Sequence, residues 1–177
     1  QDTLISEITT SDMQANTLLG LKKKKKTTTN TDGTWDNGFP DRSRYVVIDE
    51  NYTHTDNRLS ARKLKVATTN KLTVTDQLLV VTNGIELDGD IRLKGALAQL
   101  IQTHANTSTV TGNGQLLVDQ NSEVPSTYRY NYMSSPVTTV GKATYSLESV
   151  LRDGTDLDNP KAIKFVSGYD GSFTGTN

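Results

Sequence analysis

The stretch Leu64-Lys65-Val66, Leu72-Thr73-Val74, Leu78-Leu79-Val80-Val81, Ile85-Glu86-Leu87 and Ile91-Arg92-Leu93 decides the fold, and Leu97 to Ile101 and Leu116-Leu117-Val118 carry it on. Most of these units are aliphatic, polar, aliphatic. Two side chains then point one way and one the other, which is the period of a short half-buried strand. The units follow one another every six to eight residues, parted by Thr, Asn, Gly or Asp. They also recur at a longer interval: Leu64 to Ile85 is 21 residues, Leu72 to Ile91 is 19 and Leu78 to Leu97 is 19. Three short strands per turn of roughly 20 residues is the pattern of a parallel β-solenoid, in which neighbouring turns bury one another.

Working outward, Tyr45-Val46-Val47-Ile48 is the first clear strand, and Asp49 to Ser60 reads as a longer polar loop holding His54. Before it, Gly33 to Pro40 reads GTWDNGFP, turn chemistry around the single Trp. The first turn of a solenoid must be capped. Trp35 is therefore read as a cap or first-turn core residue, with sugar stacking as the alternative. Further back lie five consecutive lysines, Lys22 to Lys26, and Thr27-Thr28-Thr29-Asn30-Thr31. Like charges repel, so the run is read as a solvated loop or linker, or else as a contact for anionic polysaccharide, lipid head groups or, least of these, nucleic acid. Residues 1–33 form the expected lead-in, irregular apart from one helical turn around Met13 to Leu19, and the solenoid is expected over 34–120.

After Val118 the pattern changes. Tyr128-Arg129-Tyr130-Asn131-Tyr132-Met133 alternates, placing Tyr128, Tyr130 and Tyr132 on one face of a strand. That ladder has three readings: it stacks sugar rings, closes the end of the solenoid, or packs a second module. Ser146 is a candidate N-cap for a two-turn helix with Glu148 in its first turn, Leu147, Val150 and Leu151 on one face, and Asp153-Gly154 as its stop. Ala162 to Val166 is a further strand. Residues 121–177 are thus expected to be a small β-rich module, cut short at Asn177.

The chain has 177 residues, 33% hydrophobic, with 19 basic against 20 acidic side chains. A thin core column under a large surface tolerates so polar a composition. The net charge of −1 gives no bulk field for nucleic acid. No apolar run reaches the ~20 residues that span a bilayer. There is no cysteine, which removes disulfides and thiolate metal sites. Gln1 lacks the basic and apolar regions of a signal peptide, so the chain is expected to begin after processing or to be a piece of a longer one.

Chemistry is sparse. His54 and His104 sit in Thr- and Asn-rich segments with no acidic or serine motif beside them, and no catalytic or nucleotide-binding motif occurs. The outward residues Lys65, Thr73, Glu86 and Arg92 are a mixed set without a repeated carboxylate pair, so an enzyme is not expected. Asp88 and Asp90 flank Gly89. They read as a corner turn, with calcium ligation as the alternative, since two carboxylates two residues apart commonly begin an oxygen site. No other cofactor is expected.

Several motifs then combine: QLIQTH at Gln99 to His104, GNGQLLVDQ at Gly112 to Gln120, NYMSSPV at Asn131 to Val137, YSLESVLRDGT at Tyr145 to Thr155 and FVSGYDG at Phe165 to Gly171. With GTWDNGFP before them, they resemble the β-solenoid segments of Bacteroidota cell-surface proteins exported by the type IX secretion system, gliding-motility adhesins among them. The family often has Trp at the position of Met133. The resemblance implies export, an extracellular or outer-surface location, the outer-membrane secretion machinery as a partner, and a structural or adhesive role. A surface polysaccharide or another extracellular ligand is the implied binding partner, and no catalytic residues carry over. The alternative is a carbohydrate-binding or carbohydrate-processing β-helix.

Overall fold

A computed structural model of the chain describes residues 27–103, 109–121, 134–138 and 144–163. The chain is mainly β and winds as a parallel β-solenoid of about four turns, roughly 20 residues each, beside a small antiparallel pair of strands. Three sheets run along the solenoid. The first contains β1 (Thr27–Thr31), β2 (Thr34–Trp35), β3 (Tyr45–Ile48), β6 (Lys63–Val66), β9 (Ile85–Leu87) and β12 (Val110–Thr111). The second contains β4 (Tyr52–His54), β7 (Lys71–Thr75), β10 (Asp90–Lys94) and β13 (Leu116–Val118). The third contains β5 (Leu59–Ala61), β8 (Leu78–Val81) and β11 (Gln99–Gln102). All neighbours within these sheets run parallel except the hairpin β1–β2.

The register reproduces two of the expected repeats. Leu64 stands against Ile85 and Leu72 against Ile91. The third is different: Leu78 stands against Gln99 and Leu79 against Leu100, while Leu97 is exposed. The inward residue of β8 is Leu79 rather than Leu78. The positive φ at Gly95 (89°) carries the corner further along the chain before β11 begins.

Inward columns run the length of the stack. Val46, Leu64 and Ile85 form one, Ile48, Val66 and Leu87 a second, and Leu72 and Ile91 a third, all nearly or fully removed from water. Each such side chain contributes roughly 1.5–3 kcal/mol of gross transfer free energy, and only while the turns on either side are present. Corner side chains tie one turn to the next. Asn51 Oδ1 accepts from Lys71 N (2.8 Å), Asp90 Oδ1 from Gln115 N (3.0 Å) and Asp76 Oδ1 from Leu97 N (3.3 Å). These bonds satisfy backbone donors that the corners would otherwise leave unpaired.

Three expectations are corrected. Thr27–Thr31, expected in the linker, is a strand pairing in parallel with β3, with Thr28 and Asn30 fully buried. The ladder therefore starts before Thr34. The segment 49–60, expected to be a loop, supplies β4 and β5, because the turn above offers each a complete parallel partner. The two-turn helix is one turn, α1 (Leu147–Val150). Ser146 occupies its N-cap position without a side-chain cap bond, and no residue of it is buried. Neither capping nor packing holds a second turn, and a helix so short is marginal without them. The chain instead enters β14 (Arg152–Asp153), which pairs antiparallel with β15 (Lys161–Ala162). The lysine run Lys22 to Lys26, the helical turn near Met13, His104, the ladder Tyr128, Tyr130 and Tyr132, and residues 164–177 lie outside the described residues.

Candidate functional site

The N-terminal end of the first sheet carries a built cap. Asp32 (φ 52°) and Gly33 (φ 69°) turn β1 back into β2. Asp36 then lies along the outer edge of β1, donating its N–H to Thr29 O (3.2 Å) and accepting from Thr29 N through Oδ1 (2.7 Å). Thr28 Oγ1 donates to Gly38 O at 2.8 Å. This arrangement lays Trp35 over the first turn, edge-on to Tyr52 (5.3 Å between ring centres, 82°) and to Phe39 (6.2 Å, 76°). Such edge-to-face contacts add to the area the rings bury. Trp35 thus packs against the core as a cap, and the ring that faces solvent is Phe39, 51% exposed.

His54 lies beneath this cluster, 2% exposed, with its ring 6.0 Å from both Phe39 and Tyr52. Nε2 faces Asn57 O, which can only accept, so Nε2 carries the proton. Nδ1 is then the acceptor for Tyr52 Oη at 3.2 Å. Partial burial pushes the Tyr52 phenol above its ordinary pKa. The histidine expected in a loop is an inward-facing core residue of β4.

Along the outer face of the first sheet, three successive turns contribute one cluster. Tyr45 stands against Lys63, and Lys65 against Glu86. Tyr45 Oη donates to Glu86 Oε2 at 2.8 Å, Lys63 Nζ pairs with Glu86 Oε1, and the same ammonium lies 5.6 Å from the Tyr45 ring centre. The bonds from Lys63 and then Tyr45 hold the Glu86 carboxyl below the usual carboxylate range. Burial first, and the Glu86 bond second, push Tyr45 up to about 12. The cluster binds turns together across 41 residues of chain.

Asp88 and Asp90 sit at the corner between β9 and β10. Asp90 uses Oδ1 to hold Gln115 N, and Asp88 is exposed. Gly89 between them is enclosed: a Cβ there would overlap the carbonyl oxygens of Asn70 and Ala67 in the turn before. One turn on, a Cβ at Gly114 would overlap Gly89 O. Among the described residues no group of three or more His, Asp or Glu side chains converges to hold a metal ion.

Arg92, expected on a solvated face, is buried. Its guanidinium forks onto Asp119, Nε to Oδ1 at 3.1 Å and Nη2 to Oδ2 at 2.8 Å, and Nη1 donates to Leu157 O at 3.2 Å. Asp158 adds an ion pair at 3.8 Å. The bond to Asp119 holds the guanidinium still more firmly protonated. These contacts seat the segment carrying α1, β14 and β15 on the outside of the second sheet. Arg92 is the site residue that sequence reasoning missed, because its partners lie 27 and 65 residues away.

Comparison with protein-family models, with curated proteins and with solved structures finds no match. No helix among the described residues is long and apolar enough to cross a membrane.

Proposed function

We propose that this chain is a structural and adhesive segment of an exported bacterial cell-surface protein, carried by the type IX secretion system and akin to gliding-motility adhesins. In this reading it works at the outer surface, handled by outer-membrane secretion machinery and facing a surface polysaccharide or another extracellular ligand. The segments from GTWDNGFP to FVSGYDG support the export and location. The observation that carries the structural role is the Tyr45–Lys63–Glu86 cluster, where outward polar groups of three turns satisfy one another. An outer face so arranged resists separation of the turns, because the titratable groups of the cluster are engaged with one another. The experiment is incubation with a panel of surface polysaccharides, read for binding and for release of reducing ends. Binding without release supports an adhesive segment, and release of product overturns it. Export is checked separately, by recovering the tagged full-length protein from a gliding bacterium with and without a working type IX system.

A second reading, carbohydrate binding, is favoured by one observation: the half-exposed Phe39 beside Trp35 at the cap. Aromatic rings exposed next to polar donors suit a sugar face. Phe39→Ala is expected to abolish polysaccharide retention without unfolding the chain. Retention unchanged in that variant removes the cap as the sugar site.

A further inference from the structure

Gly84, at the corner between β8 and β9, is buried, yet among the described residues its N–H meets no acceptor. A buried amide hydrogen left unpaired is rare in folded chains. The groups around it are all engaged. Thr82 N donates to Ala61 O at 3.0 Å, Asn83 N to Arg62 O at 2.8 Å and Ile85 N to Thr109 O at 2.9 Å, and Gly84 O accepts from Leu64 N at 3.2 Å. Asn83 O accepts from Gln102 Nε2 at 3.1 Å. Asn83 itself is half-buried and held by its backbone alone, and its carboxamide has no partner among the described residues.

An unpaired glycine amide directly after an asparagine with a free side chain is a reactive pair, and asparagine is among the thermolabile residues. The amide nitrogen can close on the preceding carboxamide because glycine carries no Cβ to obstruct the ring. A hydrogen-bonded amide is the poorer nucleophile, since its bond must break before the nitrogen can turn. The chain contains three Asn-Gly pairs, and the other two fail this condition. Gly38 N donates to Trp35 O at 3.3 Å, and Gly114 N to Leu87 O at 2.7 Å. Gly114 is also walled in by Gly89 O, which a Cβ there would overlap. At Gly84 a Cβ would stand 3.2 Å from Thr109 Oγ1. A hydroxyl so close suits a step in which an oxyanion forms beside the attacking nitrogen.

We propose that Asn83 is a site of self-modification by deamidation, the Asn-Gly pair that the folded chain leaves reactive. Gly84 N gives up its proton to water and bonds to Asn83 Cγ. The bond from Cγ to Nδ2 breaks, ammonia leaves and a succinimide ring closes. Water, the sole co-reactant, then opens the ring. Attack at Cγ yields aspartate, and attack at the backbone carbonyl yields isoaspartate with the main chain lengthened by one carbon. Either product sets a carboxylate at a corner bonded to Arg62 in the turn before and close to Lys63 of the Tyr45–Glu86 cluster. Isoaspartate also converts the carbonyl that Gln102 holds into a free carboxylate, which loosens the tie to the following turn.

The test incubates the folded full chain in mildly alkaline buffer, digests samples over time and follows the fragments by mass spectrometry, with aspartate separated from isoaspartate. The amide-to-acid mass gain is expected at Asn83 several times faster than at Asn37 or Asn113, with isoaspartate among the products. In denaturant the three sites are expected to convert at similar rates. Asn83→Gln keeps an amide but disfavours the ring, and is expected to remove the gain from that fragment. Conversion at Asn37 or Asn113 as fast as at Asn83 in the folded chain overturns the proposal. So does an Asn83 that stays intact while the denatured chain converts. A gain that persists in the Asn83→Gln fragment overturns it equally.

Discussion

Arg92 and Asp119 face each other as a fork on a fork, 27 residues apart, with the arginine side chain 7% exposed and the carboxylate 22%. Two parallel charge-assisted bonds at this depth fix the orientation of both groups. Arg92→Met leaves Asp119 and Leu157 O without their donor, so a loss of about 1–3 kcal/mol is expected, the range for unsatisfied hydrogen-bonding groups. Urea denaturation measures it. Protease cleavage within residues 144–163 is expected to accelerate in the same variant while the stack from β3 to β10 stays protected. Arg92→Lys keeps the charge but not the fork, and is expected to recover only part of the loss.

Tyr45 and Glu86 make a pH prediction. The Glu86 carboxyl is depressed in the folded chain, so its contribution is present above the ordinary carboxylate pKa and is lost as pH falls through the lower folded value. Tyr45 is raised to about 12, so its contribution is intact below the ordinary tyrosine pKa of ~10 and is lost as pH rises from there through about 12. Ultraviolet titration is expected to show late-ionising tyrosine, of which the Tyr45 component disappears in Tyr45→Phe while the Tyr52 component stays. Glu86→Gln is expected to move the Tyr45 component down only part of the way, because burial is the larger cause.

Gly89 and Gly33 separate two reasons for glycine. Gly33→Ala meets open space and pays only for its left-handed backbone, about 1 kcal/mol. Gly89→Ala drives a Cβ into two backbone carbonyls that cannot rotate away, so about 3 kcal/mol or a failure to fold is expected. Thermal melts of the two variants side by side check the order.

The core predicts its own gradient. Leu72→Ala, at a fully buried site with a turn on each side, is expected to cost 2–5 kcal/mol, roughly the range seen for such truncations. Val118→Ala, half-buried in the last turn, is expected to cost about 1 kcal/mol. Equal costs would contradict a core that thins toward that end.

Legibility in the sequence followed local pattern. Leu64 with Ile85 and Leu72 with Ile91 were readable because alternation and spacing agree on which side chain faces inward. Leu78 with Leu97 failed where four aliphatic residues in a row, Leu78 to Val81, hide the phase. β1, β4 and β5 were missed because Thr-Thr-Thr-Asn-Thr and Tyr-Thr-His carry little aliphatic signal. Their strand state comes from the turn beside them, a tertiary effect that outweighs propensity. Trp35 as a cap was visible, since an isolated tryptophan among turn residues needs a surface to cover. Its partner Tyr52, the buried His54 and the anchor Arg92 were not, because each is defined by a neighbour many residues away. The tyrosine ladder at 128–132 lies outside the described residues.

Asp88 and Asp90 show how a motif divides once geometry is known. One carboxylate is occupied by Gln115 N and the other is exposed, so the pair frames a glycine that must stay small.

The parallel register has one more consequence, for reach. Adjacent strands in a sheet lie about 4.8 Å apart, so the five parallel layers from β1 to β12 extend only roughly 19 Å along the solenoid axis. A helix of ~20 residues covers about 30 Å. A chain wound this way is a poor ruler and a good wall: it commits some twenty residues to each thin course, and every course widens three lateral faces. Length along the axis is costly in residues, while stiffness and lateral area come with every turn.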